Sequence, residues 1–157
     1  MKRLSLFLLA LAVLFAATGA TAYAKPNFSG EWKLDADKSN FGPMPPPDRF
    51  NLSVKHSDPD LEITTDQAGP QGEDKSTAKY KTDGSESVNS MRGTDVKSKA
   101  GWDGDKLKIA SKLDFGGTEI TLDQTWELSG DGNTLTNTLK INSPQGEFEI
   151  VYLLRKQ

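Results

Sequence analysis

Asn27-Phe28-Ser29-Gly30-Glu31-Trp32-Lys33-Leu34 is the stretch whose reading decides the architecture of this chain. It stands directly behind an apolar leader and carries a Gly-x-Trp on what reads as the first strand of a β-rich domain. Downstream of it no convincing amphipathic helix can be traced, and strand-like segments alternate with tight turn signals.

The leader has the three parts of a cleavable export signal. Met1-Lys2-Arg3 is a positive head, Leu4 to Ala17 is apolar apart from Ser5, and Ala22-Tyr23-Ala24 is an Ala-x-Ala cleavage site. The apolar run is short of the roughly 20 residues that a spanning helix needs. Residues 1–24 are therefore expected to be a signal peptide, and 25–157 a single mature domain, secreted or periplasmic and not stably inserted in a membrane. An uncleaved anchor is the competing reading.

Losing Lys2 and Arg3 takes the formal net charge from −3 to −5, which argues against nucleic acid and anionic membrane surfaces as partners. With no cysteine, stability must come from packing and strand pairing, with no disulfide or lipobox attachment.

Ten strands are expected over 28–34, 49–56, 60–66, 74–82, 86–91, 94–102, 106–114, 117–128, 133–142 and 146–155, the fifth being the poorest. Asp83-Gly84, Asp103-Gly104 and Gly116-Gly117 supply the tight turns between neighbours. The better strands alternate. Leu107, Ile109, Ser111 and Leu113 oppose Lys106, Lys108 and Lys112, while Phe148, Ile150, Tyr152 and Leu154 share one face of the last strand. A sheet with one apolar face must close on itself or pack on a second sheet, and closure also removes exposed edges. The expected fold is all-β, an antiparallel up-and-down barrel of about 8–10 strands, with a sandwich as the alternative. Gly42-Pro43-Met44-Pro45-Pro46-Pro47-Asp48 reads as a stiff connection between the first two strands.

Phe28-Ser29-Gly30-Glu31-Trp32-Lys33-Leu34 resembles the opening strand of lipocalins and fatty-acid-binding proteins, the calycin group. The tail from Trp102-Asp103-Gly104 through Tyr152-Leu153-Leu154-Arg155-Lys156 resembles the closing hairpins of fatty-acid-binding proteins. The resemblance implies a barrel whose structural signature is Gly30 and Trp32, with Arg155 covering the tryptophan at the closed end. Two departures stand beside it. The proline-rich segment replaces the helical lid of fatty-acid-binding proteins, and no inward arginine accompanies Tyr152 to grip a carboxylate.

Ser98, Ser111, Gln124 and Asn137 fall mid-strand on the apolar face. There they either line a hollow interior or, in a filled core, pair among themselves, Gln124 with Asn137. In the hollow case Tyr80, Trp102, Trp126 and Tyr152 join them as contacts for a small apolar ligand.

Enzyme signatures are poor. The single histidine, His56, is expected to be a solvated residue at a strand end, and no nucleophile elbow is present. Asp103 with Asp105, and Asp131 with Asn133, are explained by hairpin turns and do not form a calcium loop. No metal and no cofactor is expected. The function expected is an exported monomeric barrel binding a small hydrophobic or amphipathic molecule in its interior. The alternative is a non-enzymatic protein-interaction barrel with a filled core, a periplasmic inhibitor or envelope factor, working through its loops and outer surface.

Overall fold

A computed structural model describes residues 24–70 and 72–157, so the leader lies outside the described residues except for Ala24. Ten strands follow in chain order: β1 Gly30–Leu34, β2 Arg49–Ser57, β3 Asp60–Gly69, β4 Gly72–Lys81, β5 Asp83–Met91, β6 Thr94–Asp103, β7 Lys106–Asp114, β8 Glu119–Leu128, β9 Thr134–Ser143 and β10 Gly146–Lys156. Each pairs antiparallel with its neighbours in the order β4-β3-β2-β1-β10-β9-β8-β7-β6-β5, so the two ends of the chain meet where β1 joins β10. The meander is the expected one, and the weak fifth strand is nine residues long.

Alternation decides which way each strand faces. On β7 every second residue is buried, Leu107 through Leu113, while the lysines between them are exposed. Burial is concentrated at the end of the barrel where the N-terminal segment enters. Phe28 is fully buried there, stacked on Trp102 at 5.9 Å and edge-on to Trp126 at 5.5 Å, and its carbonyl accepts from Trp32 Nε1 at 2.9 Å. Truncating a buried aromatic of this kind costs about 3–5 kcal/mol. Phe28 plugs the closed end.

Two expectations for this end are corrected. His56 is buried, not solvated. It accepts the Phe28 backbone N–H at Nδ1 (3.3 Å), so its proton sits on Nε2, which donates to Asp58 Oδ1 at 2.9 Å. The cation over Trp32 is Lys156, whose Nζ lies 5.5 Å from the ring centroid; Arg155 instead donates to Asp35 and Thr134. Register explains this, because Trp32 is the ladder partner of Lys156, and Arg155 points to the opposite face. Gly30 makes the contact possible. Its φ is +138°, and a Cβ there would sit 2.9 Å from Lys156 Cε, so the glycine of Gly-x-Trp leaves room for the lysine stem.

The barrel is not fully closed by backbone pairing. β4 and β5 are the two ends of the sheet, and side chains bridge them instead. Asn89 Oδ1 accepts from Lys79 N–H at 2.7 Å while its Nδ2 donates to Lys79 O at 3.0 Å, so the amide replaces a peptide unit; Ser87 Oγ accepts from Lys81 N–H at 3.2 Å.

Asn89→Ala is expected to keep the fold at a cost of about 1 kcal/mol and to speed hydrogen exchange selectively at the Lys79 amide. Exchange measured residue by residue checks this. Burial pushes the Asp58 carboxyl up, but hydrogen bonds from Thr82, His56 and Trp102 outweigh it and hold the group below the usual carboxylate range. Its stabilisation is therefore present above the unfolded carboxylate value, about 3.9, and is lost as pH falls through the lower folded value. Asp58→Asn should lower Tm at neutral pH, with a gap to the unaltered protein that narrows in melts run in increasingly acidic buffer.

Candidate ligand site at the open end of the barrel

The end opposite Phe28 is built differently. β1 stops at Leu34, and the chain then runs along β10 before crossing the mouth. Asp35 N–H donates to Leu153 O at 2.8 Å, Asn40 and Val151 exchange both backbone bonds at 2.8 and 2.7 Å, and Leu153 N–H donates to Ser39 Oγ at 2.9 Å. Gly42 turns this strap inward with φ +57°, and a Cβ there would meet the Glu149 carbonyl oxygen at 2.8 Å. The prolines then carry the strap, extended, toward the β3–β4 hairpin, where a Cβ on Gly69 would lie 3.6 Å from Pro47 Cα.

Because β1 ends early, Phe50 on β2 and Tyr152 on β10 come together beyond it. Their rings stack at 4.6 Å with an interplanar angle of 4°, and Phe41 of the strap closes edge-on against Tyr152 at 6.0 Å. Under the strap lies a cavity of about 170 Å³, lined by these three rings, Met44, Pro45, Pro47 and Ile150 on the apolar side and by Gln67, Asp74 and Arg92 on the polar side. Arg92 holds a left-handed φ of 50° in the two-residue turn between β5 and β6. Burial pushes the Tyr152 phenol above its usual range, which keeps it a neutral hydroxyl at physiological pH.

A larger depression of about 590 Å³ lies beside Tyr80, His56 and Leu61, but it is also lined by Lys55, Glu62, Lys79, Lys81 and Asp60. Those charges are already satisfied among themselves, Lys55 and Lys79 on Glu62 and Lys81 on Asp60. It is a wet, self-paired surface with little apolar driving force for a ligand.

The residues singled out in the sequence fall into separate groups. Tyr152 lines the mouth cavity. Ser98 and Ser111 are buried and hydrogen-bonded to each other at 2.8 Å across β6 and β7. Gln124 Oε1 accepts from Trp126 Nε1 and from Asn137 Nδ2, both at 3.2 Å, so the pairing foreseen for a filled core is present. Trp102 belongs to the closed end, and Lys25 Nζ lies 5.3 Å from its ring. Tyr80 packs half-buried against the core. Sequence reading missed Phe41, Met44, Phe50, Gln67, Asp74 and Arg92; the available signal was the aromatic residue on either side of the proline run.

Among the described residues no helix is long and apolar enough to cross a membrane, and no group of three histidine or carboxylate side chains is placed to hold a metal ion.

No family model matches the chain, and no curated protein matches it by sequence. Solved structures do match in shape. Secretory abundant heat soluble protein 4 from Ramazzottius varieornatus superposes with a TM-score of 0.59 at 16% identity, covering 87% of this chain and 99% of that one. Zebrafish ileal bile acid-binding protein, complexed with cholic acid, gives 0.57 at 21% identity over 83% and 98%. The Schistosoma mansoni fatty acid binding protein, in complex with arachidonic acid, gives 0.53 at 14% identity over 83% and 96%. At these identities the likeness is one of fold: the chain has the calycin-like barrel of ten antiparallel strands.

Proposed function

We propose that this protein is an exported binding barrel that takes a small apolar or amphipathic molecule through its open end. The observation that carries the reading is the aromatic cavity beneath the proline strap, where Phe41, Phe50 and Tyr152 converge on one space. Apolar burial against those rings supplies affinity, and the polar side of the cavity fixes orientation. Solved neighbours of the same fold hold cholic acid and arachidonic acid, which supports the class of function and leaves the ligand to be found. Export rests on the leader, with cleavage after Ala24. No catalytic role is assigned to any residue.

The protein-interaction reading has one observation in its favour. Met44 on the strap, Met91 at the end of β5 and Phe115 in the β7–β8 turn are exposed large apolar side chains at the open end. In that reading they meet a partner protein, and the cavity beneath stays empty.

Native mass spectrometry of the mature protein, purified gently from the exported fraction, separates the two. A reproducible extra mass that organic solvent extracts is expected, and Phe50→Ala should weaken rebinding of the extracted compound at least tenfold. A bare polypeptide mass together with no uptake of apolar fluorescent probes would contradict the binding reading and turn attention to partners of the open rim.

A further inference from the structure

The N-terminal segment docks on one residue of β2. Phe28 N–H donates to His56 Nδ1 at 3.3 Å. Ser29 Oγ accepts the His56 backbone N–H at 2.9 Å and donates to its carbonyl at 3.1 Å, and Asn27 Nδ2 donates to the same carbonyl at 3.4 Å. Of these contacts, only the one to the ring depends on a group that can take up a proton.

The ring is held from its other side. Nε2–H donates to Asp58 Oδ1 at 2.9 Å, and the Thr82 hydroxyl donates to the same oxygen at 2.7 Å. The imidazole lies 5.8 Å from both the Phe28 and the Trp102 rings, and its side chain is only 3% exposed. With one proton, on Nε2, it meets the needs of both neighbours.

A second proton breaks that arrangement. It goes to Nδ1 and turns an acceptor into a donor facing the Phe28 N–H. Turning the ring over gives no relief, because both nitrogens of the cation carry protons. Phe28 is fully buried, so its N–H has no water in reach, and an unmet buried donor is costly. Asp58 meanwhile holds the cation more firmly than the neutral ring, since the Nε2 bond becomes charge-assisted. The ring therefore stays, and the segment carrying Phe28 is the part that moves. Residues 25–29 precede β1 and belong to no ladder, so they can leave without unpairing a strand.

The other charges around the ring leave this balance in place. Burial pushes the Asp58 carboxyl up, but hydrogen bonds from Thr82, His56 and Trp102 hold it below the usual carboxylate range, and it stays an anion in mild acid. Lys55 of β2, Glu62 and Asp60 of β3, and Lys79 and Lys81 of β4 line the adjoining depression and pair among themselves. On β6, Asp103 is paired with Lys108. Burial raises the Tyr80 phenol, which stays neutral. Lys25, over the Trp102 ring, is the cation of the N-terminal segment and departs with it.

We propose that His56 is an acid-sensitive latch: protonation of its ring releases the Phe28 plug and opens the closed end of the barrel while the strands stay paired. The device is independent of whether the mouth holds a ligand.

The test is residue-by-residue hydrogen exchange of the mature protein, corrected for the intrinsic pH dependence of exchange, with the His56 ring nitrogens followed by NMR in the same samples. An imidazole changes charge between roughly pH 5 and pH 8, and the two ends of that range are compared. Protection of the Phe28 amide is expected to fall at least tenfold as Nδ1 gains its proton, while Leu107 and Leu135 in the ladders keep theirs. His56→Asn sets an amide oxygen near the place of Nδ1 and cannot be protonated, so its Phe28 protection should be level across the range. An equal fall in His56→Asn would assign the effect to carboxylates and overturn the latch. A ring that stays neutral throughout, or one that is protonated with Phe28 still protected, would overturn it as well. So would a loss shared equally by Leu107 and Leu135, which is ordinary unfolding. If His56→Asn does not fold, the unaltered protein decides alone, because ring protonation and Phe28 release must share one midpoint.

Discussion

The structure depends on Phe28 being driven into the barrel floor. A ten-stranded barrel built from one apolar face leaves two open ends, and this chain closes one of them with its own N-terminal segment. Phe28 packs between Trp102 and Trp126, accepts from the Trp32 indole through its carbonyl, and donates its N–H to His56. Three otherwise separate features, the Gly-x-Trp strand, the sole histidine and the tryptophans of β6 and β8, are thereby one assembly. Both polar atoms of the Phe28 peptide that enter the core are satisfied, as burial requires.

That closure determines where space remains. The lower interior is occupied by aromatic side chains, and the level above it by the Ser98–Ser111 and Gln124–Asn137 pairs. Open volume is left at the far end, where β1 stops short and the strap, pinned to β10 by backbone bonds, crosses the mouth. The prolines hold the rest of the strap extended across the mouth, so this part of the rim is set by backbone geometry. The seam between β4 and β5, held by the Asn89 amide, lacks a backbone ladder.

Period-two alternation was legible throughout the sequence because each strand is wet on one side, and it gave the strands, their faces and the meander. The inward positions of Ser98, Ser111, Gln124 and Asn137 were readable for the same reason. Their partners were less so, since hydrogen bonding between inward side chains depends on register and on which amide atom faces which neighbour. His56 was misread because a lone histidine beside an Asp-Pro turn looks solvated until a backbone donor arrives from 28 residues away. The Arg155 expectation failed by a single residue, which on a strand is the whole difference between the two faces. The mouth cavity was the least visible feature. Its walls come from the strap, the four strands β2, β3, β4 and β10 and two turns, and no local pattern announces such a meeting.

The central claim is that the closed end is plugged and the open end binds. Amide and aromatic chemical-shift mapping of the mature protein, titrated at neutral pH with an apolar fluorescent probe, tests it most directly. The account predicts saturable shifts at Phe41, Phe50, Asp74 and Tyr152, with Phe28, Trp32, Trp102 and His56 unmoved. Shifts centred on the Phe28–Trp102–His56 cluster would contradict it, because they would place the accessible interior at the end assigned here to the plug.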